Sequence, residues 1–280
     1  MDELYVLARS VLLDALEALG PHREACVLVG AQALYLRVGE ADVAVAAFTT
    51  DGDLVVDPRR LSDTPPVERG LTDAGFALRS GGVGIWVTRR ATSTKPDVEV
   101  EVDLLVPQSV ALGPGRRAAR LPGHEPNAAR TARGLEGALF DADLMRVAEL
   151  EEASARAFDI RVAGSAALLV SKLHKISDRS GTARASDKDA YDVLRLMRGT
   201  TTEDMVARLQ RLRREPLSAP VTEEALKMLG EFFGRAGGVG SQMAVRTGRR
   251  LVDPKEIEDS CVALATDVLE KLRLKPTSSG

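Results

Sequence analysis

The spacing of hydrophobic and polar residues changes along the chain and predicts two kinds of structure. Before about residue 150, short apolar runs are separated by polar or glycine-containing stretches, and residues 97–107 (DVEVEVDLLVP) alternate plainly between apolar and acidic side chains. Such alternation is typical of β-strands, because successive side chains point to opposite faces of a sheet. After about residue 165, apolar residues recur every three or four positions, which is the spacing of amphipathic helices.

These patterns predict an α/β (α+β) fold, with a mixed α/β part in residues 1–150 and a helical domain in residues 151–274. The predicted elements of the first part are a helix over 3–19, a strand at 26–29, a helix from Gly30 to about Gly39, a strand or strand pair within 48–57, a hairpin within 76–90 and a strand at 97–107. A further strand is predicted at 158–162, followed by helices at 165–179, 187–197 and 256–272 with others between them. The tail 275–280 is predicted to be disordered.

The segment near 110–135, which extends to about residue 140, is rich in glycine, proline and arginine. Glycine and proline interrupt regular secondary structure. We therefore predict a long loop or an inserted surface segment at this place.

The composition is that of a soluble protein and argues against a membrane or disulfide-rich secreted class. Apolar residues make up 44% of the 280 residues, charged residues make up 28%, and the formal net charge is −3. The acidic start of the chain predicts no signal peptide, and no apolar run is long enough to cross a membrane. Cys26 and Cys261 lie in apolar stretches, as expected of buried thiols in a reducing compartment. We predict a cytoplasmic protein without a membrane partner.

Two aspartates separated by one glycine form the first candidate site. Asp51 and Asp53 lie within residues 48–57 (FTTDGDLVVD), and in an extended segment both carboxylates would face the same side. Two adjacent like charges repel each other unless a cation or a proton lies between them. Two interpretations stay open for this stretch: a divalent-metal site, or a solvated turn, because Asp-Gly is a common turn dipeptide.

The alternating strand supplies a third carboxylate. Its valines face one side, and Glu99, Glu101 and Asp103 face the other. Three carboxylates on neighbouring strands, here Asp51, Asp53 and Asp103, can hold two divalent ions about 3.5–4 Å apart and support a displacement at phosphorus. Mg²⁺ (or Mn²⁺) suits such a site, because it binds a few carboxylates together with phosphate oxygens and waters. The alternative is an exposed acidic face on an edge strand.

A glycine at a predicted strand-to-helix turn is the third element of the pattern. Gly30 would let a phosphate approach the backbone, and the start of the helix would offer free N–H groups. Glycine also occurs at such turns for purely steric reasons. The sequence order is what matters here: a glycine before a helix, then Asp-x-Asp, then a strand that carries an aspartate.

This order, VGAQAL…TTDGDLVV…VEVDLL, resembles the polymerase-β-type nucleotidyltransferase superfamily and, within it, the AbiEii/MenT-like toxin group. The resemblance covers most of residues 25–200 and implies a nucleotidyltransferase-type mixed sheet with flanking helices, followed by a helical domain. The implied metal-binding catalytic residues are Asp51, Asp53 and Asp103, and the implied nucleotide-binding residues near them are Gly30, Ala31, Thr49 and Thr50.

The helical half carries the remaining motifs of the resemblance. SKLHKISDR places Lys172 at the position of the family lysine, and SDKDAYDVLRL places Asp189 and Asp192 at the family carboxylate motif. The resemblance implies that Lys172 and Asp189 are catalytic. It also implies that Lys172, Lys175 and Asp192 contact the nucleotide.

The same helical residues have interpretations that need no nucleotide. Lys172, Lys175 and Arg179 are spaced to form one basic stripe, which would meet the charge of a triphosphate or would be a solvated helix face. Ser186 and Asp189 could form a capping box at a helix start. Asp192, one turn later, is not explained by a cap and could pair with Arg195 or Lys188 or orient Lys172.

Four positions depart from the family pattern. A second glycine and a serine are usual around the helix start, where this chain has Val29 and Ala31, and an arginine commonly precedes the Asp-x-Asp, where this chain has Ala47. The residue between the aspartates is usually apolar, and here it is Gly52. These departures remove one phosphate ligand and one positive charge.

By resemblance, the expected reaction is Mg²⁺-dependent transfer of a nucleoside monophosphate from an NTP to an acceptor hydroxyl, with release of pyrophosphate. The implied acceptor is an RNA 3′ end such as that of tRNA, and the implied role is that of a toxin paired with a cognate antitoxin. Two alternatives stay open. One is a catalytically inactive nucleotidyltransferase fold that binds or regulates, which the missing serine and the missing arginine favour. The other is an enzyme that modifies a small molecule or a protein.

Overall fold

The computed structural model describes residues 3–39, 51–112, 117–151, 154–182 and 186–274. The chain divides into two compact units: the first takes the described residues within 1–33 and 48–163, and the second those within 34–47 and 164–280. The boundary after Ala163 comes later than the predicted boundary near residue 150, because residues 157–163 form a strand of the sheet.

The first unit is built around a mixed sheet, as predicted. Its described strands are β1 (Cys26–Val29), β2 (Asp51–Val56), β3 (Ala77–Leu78), β4 (Ile85–Arg90), β5 (Val98–Pro107), β6 (Ala118–Ala119), β7 (Ala129–Ala132), β8 (Ala142–Ala148) and β9 (Ala157–Ala163). The main path of the sheet is β3-β4-β5-β2-β1-β9-β8, and β7 pairs with β5 and β6. The pairs β2–β5, β1–β9 and β5–β7 are parallel, whereas β1–β2, β3–β4, β4–β5, β6–β7 and β8–β9 are antiparallel.

Helix α1 (Glu3–Ala18) covers one face of the central strands. Its apolar stripe is buried, and a Cβ atom placed on Gly52 of β2 would lie 3.2 Å from Leu12 Cδ1. The side of β2 that carries Gly52 therefore faces α1, and Asp51 and Asp53 face the opposite side, because side chains alternate along a strand. The absence of a side chain at Gly52 thus has a packing reason. A second, short helix, α3 (Val67–Asp73), also belongs to this unit.

The second unit is helical. Its helices are α4 (Ser165–Arg179), α5 (Asp187–Gly199), α6 (Thr202–Arg214), α7 (Ala219–Phe233), α8 (Val239–Gly248) and α9 (Pro254–Leu274). Helix α2 (Gly30–Val38) begins in the first unit and joins the second unit from Leu34 onward. The predicted helices at 165–179, 187–197 and 256–272 are confirmed, with small differences at their ends.

The glycine-, proline- and arginine-rich segment is not a loop along its whole length, contrary to the prediction. It contributes β6 and β7, and β7 pairs in parallel with β5. Ala119, Ala128 and Ala129 are fully buried there. Alanine packs against a sheet without forming the long apolar run by which a strand is usually recognised in a sequence. Residues 113–116 lie outside the described residues.

Strand β5 is not an edge strand. The alternative interpretation of its acidic residues, an exposed face on an edge strand, is therefore wrong about the position of the strand. It lies between β4 and β2. Glu99 is exposed, Glu101 is half-buried and Asp103 is buried, so solvent exposure of the acidic face decreases along the strand.

Both cysteines are fully buried, as predicted. No helix in the described part of the chain is long and apolar enough to cross a membrane. The predicted disordered tail, residues 275–280, lies outside the described residues.

Candidate active site

Strand register brings the three predicted carboxylates onto one face of the sheet. In the parallel pair β2–β5, Asp53 lies opposite Asp103 and Asp51 lies opposite Glu101. Register partners on adjacent strands share a face, so all four acids lie on the side away from α1. Arg79 donates a hydrogen bond to Glu101 and therefore already neutralises it. Asp51, Asp53 and Asp103 form the group that we call the acid face.

Gly30 lies directly against the carboxylate of Asp53. Strand β1 is antiparallel to β2 with Val29 opposite Asp53, so the next residue begins α2 beside that carboxylate. Gly30 has φ +69°, and a Cβ atom there would lie 1.9 Å from Asp53 Oδ2. An L-residue rarely adopts this φ, and any side chain would collide with the carboxylate. The geometry of the acid face therefore requires glycine here and places the N-terminus of α2 next to it.

Replacing Gly30 by Ala is expected to destabilise the sheet unit by more than backbone strain alone. The matched control is Gly81→Ala, because Gly81 has φ +67° and open space around its Cα atom. Backbone strain of about 1–2 kcal/mol is common to both variants, and the collision with Asp53 belongs to Gly30 alone. We expect the difference between them to be at least about 1 kcal/mol.

The measurement is urea unfolding followed by the fluorescence of Trp86, the single tryptophan of the chain, which is buried in β4. Equal losses for the two variants would show that the Asp53 carboxylate moves aside freely and that its position over Gly30 is not fixed.

Asp103 is the most buried carboxylate of the acid face, and its two oxygens differ. Arg130 of β7 donates a hydrogen bond to Oδ2, whereas Oδ1 is buried without a hydrogen-bond partner among the described residues. Burial and the charge of Asp53 raise the pKa of Asp103 to about 6, with Asp51 adding to the rise and Arg130 opposing it. A carboxyl group with such a pKa and one unpartnered oxygen suits a proton acceptor or a cation ligand.

The acid face fits a hard divalent cation in its chemistry. Asp103 Oδ1 is buried without a partner among the described residues, and burial followed by the charge of Asp53 raises the pKa of Asp103, so a bound cation would stabilise its charged form. Mg²⁺ and Mn²⁺ prefer oxygen ligands. Among the residues that the structure describes, no three His, Cys, Asp or Glu side chains converge closely enough to enclose a metal ion by themselves. The residues therefore fit an ion held by one or two carboxylates and completed by water or substrate oxygens, as is usual for Mg²⁺.

The other predicted nucleotide contacts near the acid face are only partly described. Thr49 and Thr50 lie outside the described residues, as does the departure at Ala47. Val29 and Ala31 are buried. Because Ala31 has no hydroxyl group, a phosphate contact at this position would be made by backbone N–H groups of α2.

In the helical unit, Lys172 is enclosed by two aspartates. It is 4% exposed, and its Nζ donates hydrogen bonds to Asp189 Oδ1 at 2.8 Å and to Asp192 Oδ2 at 2.7 Å. Burial would lower the pKa of Lys172, but the charges of Asp192 and Asp189 raise it above its usual value. Lys172 is therefore charged, and its charge is neutralised inside the unit. Its predicted contact with a triphosphate stays a prediction.

Asp189 is surrounded by three cations, and this confirms that the predicted basic stripe faces one way. Besides Lys172, Lys175 Nζ lies 3.3 Å and Arg179 Nη1 lies 3.6 Å from its oxygens. Burial acts to raise the pKa of Asp189, but the charges of Lys172 and Lys175 outweigh burial and lower the pKa to about 2. The capping-box interpretation is wrong, because Ser186 is the N-cap of α5 without a side-chain capping bond.

Asp192 is fully buried and pairs with two cations, as the sequence suggested. Besides Lys172, it has Arg195 Nη1 at 3.7 Å. The guanidinium of Arg195 also lies over the ring of Tyr35 and donates to the carbonyl oxygen of Gly39 at 3.2 Å. This network ties α4, α5 and the end of α2 together, so Asp192 has a structural role in the unit whether or not it contacts a nucleotide.

A cavity of about 190 Å³ lies within the helical unit beside this cluster. Its lining includes Lys175, Arg179 and Arg246 as cations and Phe232 and Met243 as apolar residues. The side chains of Lys175 and Arg179 are 38% and 33% exposed, against 5% for that of Lys172. Lys175 and Arg179 are therefore the cations of the basic stripe that an anionic ligand can reach.

The lowered pKa of Asp189 predicts a loss of stability in acid. Its folded-state pKa of about 2 lies below the ordinary value of 3.8, so its contribution is present above about pH 4 and is lost as the pH falls through about 2. The shift corresponds to about 2 kcal/mol. We expect the wild type to lose about that much more stability than Asp189→Asn between about pH 5 and pH 2, measured by urea unfolding with far-ultraviolet circular dichroism. Identical pH profiles would contradict the assignment.

Comparison with known proteins adds little to this geometry. No protein-family model matches the sequence, and no curated protein matches it. Among solved structures, the chain is similar to the crystal structure of an antigenic nucleotidyltransferase-like protein from Paracoccidioides brasiliensis, with 15% identity over 79% of this chain and 93% of that chain and a TM-score of 0.41. At this TM-score the likeness carries no argument about the fold or the activity.

Proposed function

We propose that the chain is a Mg²⁺- or Mn²⁺-dependent nucleotidyltransferase that moves a nucleoside monophosphate from an NTP to an acceptor hydroxyl. The observation that carries the proposal is the arrangement of the acid face. Asp53 and Asp103 are register partners, Asp51 lies on the same face, and the helix start at Gly30 lies against the Asp53 carboxylate. Carboxylates beside a helix N-terminus combine a cation site with an anion site, which is what a metal-bound phosphate requires.

The residues of the acid face are proposed to have two roles, cation binding and proton acceptance. Asp51 and Asp53 hold the divalent ion, which supplies Lewis-acid charge to phosphoryl transfer when it is bound. Asp103 contributes its Oδ1, which orients the acceptor hydroxyl and takes its proton, and its raised pKa suits that task. The backbone N–H groups at the start of α2 hold phosphate oxygens.

The proposed reaction balances as a displacement at the α-phosphorus. The acceptor oxygen forms a bond to that phosphorus, the bond from the α-phosphorus to the oxygen of the β-phosphate breaks, and pyrophosphate leaves with that oxygen. The proton of the acceptor hydroxyl goes to Asp103. Such a step needs positioning and charge stabilisation more than covalent help from the protein.

Within the helical unit, Lys175 and Arg179 are proposed to bind an anionic ligand. Their side chains are partly exposed beside the cavity, and both lie near a carboxylate that Lys172 already neutralises. Lys172, Asp189 and Asp192 are proposed to support these cations by fixing α4 against α5. Direct contact of Lys172 with an anionic ligand would require that it exchange one of its two aspartate partners for an oxygen of the ligand.

The proposed acceptor is an RNA 3′ end, such as that of a tRNA, and the proposed role is that of a toxin with a cognate antitoxin. Support comes from the sequence resemblance and from the exposed arginines in the last turn of α6, which are Arg211, Arg213 and Arg214. Exposed arginines can follow a phosphate backbone. The low aromatic content, 4%, favours backbone contacts over stacking on bases.

A second candidate function is a nucleotidyltransferase-type fold without catalysis, kept for binding or regulation. Two observations favour it: no three metal-binding side chains converge among the described residues, and Ala31 is a buried alanine at the position where the family that the sequence resembles usually has a serine. A third candidate keeps the chemistry but uses a small molecule or a protein side chain as the acceptor.

The proposal is tested with purified protein, each of the four α-labelled NTPs, Mg²⁺ and, in separate reactions, total RNA, total protein and a small-metabolite extract. Asp51→Ala/Asp53→Ala is the control. Label that enters RNA only with the wild type would support the proposal and name the base. Label that enters protein or metabolites would keep the enzyme and replace the acceptor. Label that enters nothing in any reaction would favour the inactive fold.

A further inference from the structure

Arg130 contacts the acid face, although no sequence pattern singled it out. It lies on β7, which pairs in parallel with β5 so that Arg130 is opposite Leu105, two residues from Asp103. Its guanidinium donates a hydrogen bond to Asp103 Oδ2. Its Nε is buried without a hydrogen-bond partner among the described residues, as is Asp103 Oδ1. The pair is therefore joined through one oxygen, and the other oxygen of Asp103 is unused.

The backbone fixes where this contact is made. Gly84 has φ +68°, and a Cβ atom on it would lie 2.5 Å from Arg130 N and 2.7 Å from the carbonyl oxygen of Leu104. Leu104 also donates its N–H to the Gly84 carbonyl oxygen at 2.8 Å. Because Gly84 has no side chain, the backbones of Arg130 and Leu104 can both lie close to it. The backbone of Arg130 is thereby fixed near Asp103, which limits where its guanidinium can lie.

We infer that Arg130 is a positioning residue for Asp103: it holds Oδ2, so that Oδ1 is the single oxygen presented to a divalent cation or to an acceptor hydroxyl. This inference rests on the proposed function. Partners that orient a metal-binding side chain commonly contribute 10–100-fold to metal affinity. A carboxylate without such a partner rotates, and the ordering of its side chain must then be supplied by the ion.

The charge of Arg130 and its positioning role have opposite effects on cation binding, so variants can separate them. Removing a nearby positive charge strengthens the attraction of the acid face for a cation. Removing the hydrogen bond that orients Asp103 weakens binding. Arg130→Gln removes the charge and keeps an N–H donor, whereas Arg130→Met removes both. Arg120→Met is the matched control, because Arg120 is an exposed arginine from the same segment of the chain.

The experiment is a titration of each protein with Mn²⁺, in which free Mn²⁺ is measured by its electron paramagnetic resonance signal. We expect Arg130→Met to bind about 10-fold more weakly than Arg130→Gln, because both lack the charge and only Arg130→Gln keeps the donor, and we expect Arg120→Met to bind like the wild type. Equal affinities in Arg130→Met and Arg130→Gln would overturn the inference and leave the proposed function untouched. No Mn²⁺ binding by the wild type would overturn both.

A double-mutant cycle with Asp103→Asn tests whether Arg130 acts through Asp103. If it does, Arg130→Met/Asp103→Asn binds Mn²⁺ no more weakly than Asp103→Asn alone, because the oriented oxygen is already lost. If the losses of Mn²⁺ affinity caused by Arg130→Met and by Asp103→Asn multiply in the double variant, Arg130 acts independently of Asp103 and the inference is overturned. The folding of each variant is checked by Trp86 fluorescence. If Arg130→Met does not fold, Arg130→Ala takes its place, because it also removes both the charge and the donor. A charge role alone then predicts binding as tight as that of Arg130→Gln, and a positioning role predicts weaker binding.

Discussion

Replacing Asp53 by Asn is expected to reduce nucleotidyl transfer by at least about 10³-fold while leaving the sheet unit folded. Asp53 is the carboxylate on which the acid face is centred: it lies opposite Asp103 on β5, opposite Val29 on β1 and against Gly30 at the start of α2. Asparagine has the same shape and keeps the packing over Gly30. It removes the charge that a divalent ion requires.

The stability of this variant gives the prediction a second, independent readout. The charge of Asp53 acts to raise the pKa of Asp103, which means that the two carboxylates repel each other in the metal-free protein. Removing that charge should leave stability unchanged or increase it, because the repulsion between the two carboxylates is lost. Activity is followed with α-labelled NTP, and stability is followed with Trp86 fluorescence during urea unfolding.

The control for Asp53→Asn is Asp73→Asn, the same change at an exposed residue whose ion-pair partner, Arg69, is one helical turn away. We expect that variant to keep wild-type activity and stability, because exposed ion pairs contribute little. Full activity in Asp53→Asn would remove Asp53 from the site. A clear loss of stability in Asp53→Asn would show that its charge serves the fold, and any loss of activity would then need no metal.

Replacing Lys172 by Met is expected to destabilise the helical unit by about 3–5 kcal/mol. The ammonium group has hydrogen bonds to two buried carboxylates, and removing it leaves Asp189 and Asp192 without their closest cation. A buried charge without a partner is far more costly than a buried neutral group. Far-ultraviolet circular dichroism follows the helices during urea unfolding, and Trp86 fluorescence follows the sheet unit in the same samples.

Two variants separate this mechanism from a simple packing defect. Lys175→Met changes a cation that lies 3.3 Å from Asp189 but is 38% exposed. Because exposed ion pairs contribute little, we expect the free energy of unfolding to fall by less than about 1 kcal/mol. Lys172→Met/Asp189→Asn/Asp192→Asn removes the charges together and should be more stable than Lys172→Met alone. A triple variant that is less stable than Lys172→Met would show that packing, and not unpaired charge, causes the loss.

The elements of the acid face could be predicted because they depend on local patterns. If β2 and β5 are extended, the Asp-Gly-Asp spacing in β2 and the alternation in β5 predict which side chains of each strand share a face. Which aspartate of one strand lies opposite which acid of the other depends on the pairing of segments that are far apart in the chain. The sequence order suggested the grouping, and only the register of β2 against β5 places Asp53 opposite Asp103 and Asp51 opposite Glu101.

The contact between Arg130 and Asp103 could not be predicted from the sequence, because it also depends on the pairing of segments that are far apart in the chain. It belongs to a segment in which several arginines, glycines and prolines follow one another, and its strand, Ala-Arg-Thr-Ala, has no apolar run. Its role comes from the parallel pairing of β7 with β5, a contact between distant parts of the sequence. In the helical unit, the helical spacing of Lys172, Lys175 and Arg179 predicted a shared face, but the burial of Lys172 depends on the packing of α4 against α5.

The most direct test of the central claim is equilibrium dialysis of the wild type against each labelled NTP, with Mg²⁺ and with a chelator, because it needs no knowledge of the acceptor. The proposed acid-face site predicts that at least one NTP binds only when Mg²⁺ is present, and that Asp53→Asn loses this binding whereas Asp73→Asn keeps it. A wild type that binds no NTP under either condition, or one that binds equally well with the chelator and in Asp53→Asn, would contradict the claim that the acid face is a metal–nucleotide site.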